Sequence, residues 1–273
     1  MIKVSSRFLD RAKGGLRRYQ KVLEAARRRD VNESDTCVIV SDFLADVLGY
    51  DKYSEVTTEF AIRSTFCDLA IKVDGRLQYL IEVKSVGTDL KENHLRQAVD
   101  YGANQGVEWV LLTNGILWQA HRLRFEKPIS HEEVFSIDLL NVELKSLQIL
   151  EKLYLISREA GGSAAISTYW QQKEATSRFV VAQMLVDPTV LSVTRRQLKR
   201  LFPGVKIDEE SLESLIRNDV LKRELLEGER ASAAEKLIKR ATRRRQRNKT
   251  EEASEAEEPK ALTAPVLIPQ PAT

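Results

Sequence analysis

The sequence predicts an α/β protein, with a mixed central sheet flanked by helices and followed by an α-helical C-terminal region. Three observations lead to this prediction. Short β-rich runs alternate with helical patterns between residues 30 and 140. From residue 141 to about 247 the pattern is helical throughout. With 273 residues, 42% of them hydrophobic, the chain can bury a sizeable core in one or two domains.

The first elements are helical. Residues 5–29 form a basic, polar helix pattern that Gly14-Gly15 interrupts, and residues 32–35 have the composition of a helix cap. The apolar positions that follow recur at helical spacing until Gly49, which predicts a second helix. We therefore expect a basic N-terminal helix within residues 1–29 and a sheet domain over residues 30–140.

The predicted sheet comes from runs of β-forming residues. They lie at 55–60, 65–73, 77–84, 107–113, 116–124 and 132–138. A helix pattern over about 89–105 separates the third run from the fourth. The dipeptide Asn114-Gly115 between the fourth and fifth runs is a strong β-hairpin signal.

The C-terminal part differs in composition from the sheet region. Residues 141–247 form a helical region broken at Gly161-Gly162, Pro188 and Pro203-Gly204. From residue 248 onwards the chain is acidic, then rich in Pro and Ala, which predicts a disordered tail over 248–273.

Composition excludes several classes of protein. Two cysteines, Cys37 and Cys67, and three scattered histidines provide no zinc-binding spacing, so we expect reduced, small buried thiols. The N-terminus lacks the apolar core of a secretory signal, and no stretch approaches the ~18 apolar residues of a membrane span. We therefore expect a cytoplasmic protein without a membrane partner. A formal net charge of +3 does not by itself indicate nucleic-acid binding.

The hairpin formed by runs 65–73 and 77–84 contains the candidate site. Strand side chains alternate between two faces, and the apolar members of both runs are expected to face the core. These members are Cys67, Leu69, Ile71 and Val73 in the first run and Leu77, Tyr79, Ile81 and Val83 in the second. The alternation leaves Asp68, Glu82 and Lys84 together on the opposite face.

This arrangement sets a requirement on the turn. A strict two-residue turn at Asp74-Gly75 would pair Asp68 with Ile81 and put the two acids on opposite faces. We therefore predict a three-residue loop or a β-bulge, with Gly75 in the left-handed region.

Asp68, Glu82 and Lys84 suit metal-dependent hydrolysis of phosphodiester bonds. Carboxylate oxygens bind Mg²⁺, which acidifies a bound water and stabilises the charged transition state. A neighbouring lysine orients the water and adds positive charge. The Glu-x-Lys spacing is common, and it recurs at 143–145 and 258–260, but only residues 82–84 end an apolar strand beside an acid-bearing strand. The alternative is an ordinary polar face of a half-exposed sheet.

Four segments of the sequence together resemble a known nuclease family. They are FCDLAI (66–71), YLIEVKS (79–85), QAVDY (97–101) and GVEWVLLTNGILWQAHRL (106–123). Over about residues 30–125 the chain resembles the PD-(D/E)xK nuclease superfamily, in particular the N-terminal nuclease domain of type I restriction enzyme R subunits. The Gln-x-x-x-Tyr motif is similar to that of RecB-like nucleases.

The resemblance implies a restriction-endonuclease-like fold and a set of roles. Asp68 and Glu82 would be metal ligands for Mg²⁺ or Mn²⁺, Lys84 the catalytic lysine, and Gln97 and Tyr101 positioning residues on one helix face. Glu33 matches an acidic position on the family's first helix. It is either a further metal-side carboxylate or a solvated acid in a first helical turn.

The predicted function is that of a Mg²⁺-dependent endonuclease or exonuclease that hydrolyses DNA, and the resemblance implies a setting in restriction or phage defence. The large R subunits of the family also contain a motor, whereas this sequence has no GxxxxGK[ST] loop, so no nucleotide cofactor is expected. Two alternatives stay open: a nucleic-acid-binding module that does not cleave, and a subunit that recruits a protein partner through the helical C-terminal region. The basic run from Lys239 to Lys249 either contacts DNA phosphates or is a solvated helix end that meets the acidic tail.

Overall fold

The computed structural model describes residues 3–62, 65–125, 128–141 and 146–257, without the side chains of residues 59–66 and 245–257. The chain forms two compact units, residues 1–172 and residues 173–273. The first contains a mixed sheet with flanking helices, and the second is helical where it is described. The predicted fold class is confirmed.

The elements follow the predicted order. The strands are β1 (Val56–Ile62), β2 (Thr65–Val73), β3 (Arg76–Val83), β4 (Trp109–Thr113), β5 (Leu117–Arg124) and β6 (Ser130–Asp138). The helices are α1 (Ser6–Arg29), α2 (Glu33–Asp46), α3 (Leu95–Gln105), α4 (Leu147–Leu155), α5 (Ser163–Ala175), α6 (Arg178–Leu185), α7 (Pro188–Leu201), α8 (Glu209–Leu215) and α9 (Glu229–Glu257).

The sheet has the strand order β1-β2-β3-β4-β5-β6. Neighbouring strands are antiparallel except β3 and β4, which are parallel because α3 carries the chain from one to the other. One face of the sheet shares a large apolar cluster with α1, α2 and α4, and the other face packs under α3. Both faces of the central strands are therefore buried.

Helix α1 is part of this core and runs without a break through Gly14 and Gly15, where the sequence predicted an interruption. The reason is close helix packing: a Cβ at Gly15 would lie 2.6 Å from Cγ2 of Val47, just beyond α2. Six α1 residues at helical spacing are buried in the large cluster: Phe8, Ala12, Leu16, Tyr19, Leu23 and Ala26.

Gly102→Ala is expected to lower the free energy of unfolding of the first unit by about 1–3 kcal/mol. A Cβ there would lie 2.9 Å from the carbonyl oxygen of Val107 and would overlap Leu123 Cδ1, which outweighs the better helix propensity of alanine. Gly14→Ala is the matched control, because nothing lies within 4 Å of its Cβ position, and it should stabilise by about 0.5–1 kcal/mol. All three tryptophans lie in the first unit, so urea unfolding followed by tryptophan fluorescence measures both changes. Equal effects of the two substitutions would contradict the packing argument.

The compact units divide the chain between Gln172 and Lys173, whereas the predicted domain boundaries lie at residues 29, 140 and 247. Pro188 begins α7 as its first residue, where its missing N–H costs nothing. Helix α9 continues to Glu257, so it includes the first ten residues of the predicted tail. Residues 258–273 lie outside the described part of the chain.

The two cysteines differ in burial. Cys67 is buried, as predicted, whereas Cys37 is only partly buried. None of the helices in the described part of the chain is long and apolar enough to cross a membrane.

Candidate active site

The hairpin between β2 and β3 begins with a tight turn. Val73 pairs with Arg76, so Asp74 and Gly75 alone connect the strands. Both turn residues have positive φ, 50° at Asp74 and 74° at Gly75, as two-residue hairpin turns favour. Gly75 is therefore in the left-handed region, as predicted.

A β-bulge corrects the register that this turn would impose. The pairing shifts between Ile71 and Lys72, because β3 has one extra residue, Gln78. Beyond the bulge the continued register places Asp68 opposite Glu82, so the two acids lie on the same face of the sheet. The predicted bulge is confirmed.

Two apolar side chains do not pack as predicted with the large cluster. Leu77 precedes the bulge, where the alternation is reversed, and it packs against the cluster under α3. Cys67 also belongs to that cluster, and its thiol lies 3.3 Å from the carbonyl oxygen of Ile81 in β3. The other predicted core residues of β2 and β3 do lie in the large cluster.

Lys84 lies between two carboxylates from distant parts of the chain. Its Nζ is 2.8 Å from Oε1 of Glu82 and 3.4 Å from Oε2 of Glu33. The backbone N–H of Lys84 donates to the carbonyl oxygen of Thr113 at 2.8 Å, which fixes the lysine to the end of β4. Glu33 stands in the first turn of α2 with its side chain 51% exposed, so it is open to solvent while it faces Lys84.

Asp68 is held by the main chain of the neighbouring strand. Its Oδ2 accepts the N–H of Val83 at 2.7 Å. Burial raises the pKa of Asp68 above its ordinary value, whereas the Val83 N–H and the charge of Lys84 lower it. This hydrogen bond fixes the orientation of the half-buried carboxylate, and its other oxygen, Oδ1, takes no part in it.

Glu82 is the most deeply buried acid of the group, with 3% of its surface exposed. Burial raises its pKa to about 7, although the hydrogen bond from Lys84 lowers it, and the charges of Asp68 and Glu33 raise it further. Its Oε2 is buried and has no hydrogen-bond partner within the described part of the chain. Such an atom is uncommon in a folded protein and requires an explanation.

A divalent cation would supply the partner that Oε2 of Glu82 lacks. The donors are carboxylate oxygens, which Mg²⁺ and Mn²⁺ prefer over nitrogen or sulfur. Among the described residues, no three His, Cys, Asp or Glu side chains converge as a preformed metal site. Mg²⁺ does not require one, since one or two carboxylates with waters and substrate phosphate complete its shell. The residues present therefore fit this ion.

Gln97 and Tyr101 lie one turn apart on α3 and share a hydrogen bond of 2.6 Å between Nε2 and Oη. Tyr101 is buried in the cluster under α3 together with Ala70 and Leu80. Along β2 and β3 these two residues are each two positions from Asp68 and Glu82, so they share the face of the sheet that carries the acids. The motif therefore lies on the side of the sheet that carries Asp68 and Glu82. Its positioning role stays a prediction.

Asn114 has a function near the site that sequence reasoning missed. Its Nδ2 donates to the carbonyl oxygen of Thr88 at 2.9 Å, and its Oδ1 accepts the N–H groups of Ile116 and Leu117. It thus ties the loop after Lys84 to the β4–β5 turn. The Asn-Gly signal predicted the turn, but no local pattern predicts a partner 26 residues away.

The fold and the site together define an α/β protein whose central sheet carries two acids and a lysine, Asp68, Glu82 and Lys84, beside one another. Residues 38–137, a little over a third of the chain, match the family described as type I restriction enzyme R protein N terminus. The resemblance is confirmed, and it fits a nuclease-related role in restriction. The matched segment includes Asp68, Glu82 and Lys84, whereas Glu33 lies before it. Searches of curated proteins and of solved structures find no match.

Proposed function

We propose that this protein is a metal-dependent deoxyribonuclease that hydrolyses DNA phosphodiester bonds. One observation carries the proposal: the unpartnered, buried Oε2 of Glu82 lies in a cluster with Asp68, Lys84 and Glu33. A purely structural carboxylate would gain from a partner for both oxygens, whereas a metal ligand keeps one oxygen available.

The roles follow from the contacts of each side chain. Glu82 and Asp68 would hold Mg²⁺ or Mn²⁺, with Glu33 as a further carboxylate at the solvent-exposed edge. The bound ion would acidify a water and stabilise charge on the phosphate. Lys84, anchored through its backbone to β4, would orient the attacking water and place a positive charge near the phosphate. Asp68 is kept in orientation by the Val83 N–H.

Two further parts of the proposal rest on the family. Gln97 and Tyr101 would position the site from α3. The match to the R protein domain supports a setting in restriction or phage defence. DNA is the substrate that such a setting requires.

Lys84→Met is expected to reduce Mg²⁺-dependent cleavage about a hundredfold, because it removes the positive charge of the lysine ammonium group beside the reacting phosphate but keeps the length of the side chain. The measurement uses linear, circular and single-stranded DNA with Mg²⁺, with Mn²⁺ and with EDTA. Lys91→Met is the matched control, because Lys91 ends another acid-x-Lys triplet, Asp89-Leu90-Lys91, in an exposed position. It should cleave at the wild-type rate.

The proposal is wrong if wild-type cleavage persists in EDTA or if Lys84→Met and Lys91→Met behave alike. A wild-type protein that binds DNA but cleaves no substrate with either metal would instead identify a binding module. Cleavage that begins only when a partner subunit is added would favour the recruiting subunit.

A further inference from the structure

Helix α9 contains a long run of positive charge. Between Lys236 and Lys249 the sequence has no Asp or Glu and eight basic residues: Lys236, Lys239, Arg240, Arg243, Arg244, Arg245, Arg247 and Lys249. All of this segment is helical, so it extends about 20 Å along the helix axis. Charge of one sign at this density is costly to concentrate unless a partner neutralises it.

The helix packs through its opposite face. Ala231 and Ala234 are buried, with 0% and 5% of their surfaces exposed, and α9 packs against α6 within the second unit. At 100° per residue, Lys236, Arg240 and Arg243 point away from these alanines. The five basic residues whose side chains are described are all exposed: Lys236, Lys239, Arg240, Arg243 and Arg244. We call these five residues the basic face.

Bases outnumber acids along this stretch of the sequence. Glu235 pairs with Lys239 at 2.6 Å, and it is the single acid between residues 230 and 250 of the sequence. The next acids along the chain begin at Glu251, and α9 stays helical through them. Helical neighbours are three or four positions apart, whereas Glu251 stands eight positions beyond Arg243 along the sequence.

The chemistry of the helix favours duplex DNA over other polyanions. A duplex presents one negative charge about every 1.7 Å of its axis, which suits a straight row of lysine and arginine. Single-strand binding relies on aromatic side chains that stack on bases, and α9 has no Phe, Tyr, Trp or His between Glu229 and Glu257.

We propose that the basic face of α9 binds the phosphate backbone of duplex DNA without sequence preference, as a binding surface of the second unit. Phosphate contacts of this kind release counterions, so the affinity should fall steeply with salt. This binding requires neither a metal ion nor the carboxylates of the first unit.

The test compares two variants of the full chain that lose the same charge. The first replaces all five residues of the basic face with Gln, which is a good helix former. The second replaces five exposed bases of α1 with Gln: Lys13, Arg17, Lys21, Arg28 and Arg29. Binding to a fluorescent duplex of about 30 base pairs is measured by anisotropy in EDTA at several salt concentrations. Circular dichroism verifies that both variants keep their helix content.

The first variant should bind at least about tenfold more weakly at about 100 mM salt, and its slope of log K against log salt should be smaller by roughly 3 to 4.5. The α1 variant should stay within about threefold of wild type. If both variants lost the same affinity for the duplex, the effect would depend on net charge alone, and the proposal would be wrong. Unchanged duplex binding in the first variant would overturn it, as would a loss confined to single-stranded DNA or RNA. Because EDTA prevents metal-dependent cleavage, this result is independent of whether the protein is a nuclease.

Discussion

Glu82→Gln is expected to make the metal-free protein more stable at pH 8, by on the order of 1–3 kcal/mol, while it reduces Mg²⁺-dependent cleavage by at least about a thousandfold. Burial raises the pKa of Glu82 to about 7, so the ionised carboxylate is disfavoured in the folded state. Gln keeps the size of the side chain and an oxygen that accepts from Lys84, but it removes the buried charge. Most substitutions at buried positions lower the free energy of unfolding, whereas Glu82→Gln is expected to raise it.

The pH dependence of this gain follows from the direction of the shift. A carboxyl group whose folded pKa lies above its unfolded value costs no stability at low pH, where it is protonated in both states. The cost appears as the pH rises from about 4.5 through about 7 and is complete above that. Glu82→Gln should thus match wild type near pH 4 and exceed it at pH 8, in urea unfolding followed by tryptophan fluorescence.

Asp89→Asn is the control for Glu82→Gln, because Asp89 is an exposed acid on the loop after the site. It should leave both stability and cleavage unchanged. Mg²⁺ should stabilise the wild-type protein more than Glu82→Gln, since binding to the folded state adds to its stability. A loss of stability in Glu82→Gln at pH 8 would show that Glu82 serves the fold through its ion pair with Lys84, and the metal-ligand interpretation would be wrong.

Between pH 7.5 and pH 5, the free energy of unfolding is expected to fall by about 2 kcal/mol less in His121→Phe than in wild type. His121 is buried in β5, and among the described residues neither of its ring nitrogens has a hydrogen-bond partner. Its ring lies edge-on to His131, with 5.6 Å between ring centroids. Burial lowers the pKa of His121 to about 4, and the nearby His131 lowers it further.

The sign follows from where the proton binds. In the unfolded chain His121 takes up a proton near pH 6.5, whereas in the folded protein it does so only near pH 4. Stability is therefore lost progressively as the pH falls through this window. Glu82 affects the free energy of unfolding in the opposite direction over this pH range, but its contribution is the same in wild type and variant and cancels when they are compared at equal pH. His94→Gln is the control and should keep the wild-type acid sensitivity; an unchanged pH dependence in His121→Phe would contradict the assignment.

Much of the fold and of the site follows from local sequence patterns. Hydrophobic alternation gave the strands of the sheet and put Asp68 and Glu82 on one face, which in turn required a bulge between them. Gly75 and Asn114-Gly115 marked the two hairpins because few other residues adopt positive φ. These predictions succeeded because period-two patterns and turn chemistry act within a few residues.

Other features depend on contacts between distant segments and could not be predicted in this way. Lys84 meets Glu33 across 51 residues, and a first-turn acid has the same sequence signature whether or not a lysine faces it. His121 has no partner at an informative sequence spacing, so its burial beside His131 depends on the pairing of β5 with β6. The continuity of α1 through Gly14-Gly15 likewise depends on the proximity of Val47.

The bulge at Gln78 has a consequence for how this hairpin can change in evolution. Oε1 of Gln78 accepts the backbone N–H and the hydroxyl of Ser163, both at 3.0 Å, so the extra residue is also an anchor for the start of α5. The number of residues between Asp68 and Glu82 decides whether the two acids lie on the same face of the sheet. A gain or loss of one residue would turn one acid to the opposite side of the sheet, whereas a change of two residues would preserve their alignment. Functional relatives should vary the length of this hairpin in even steps.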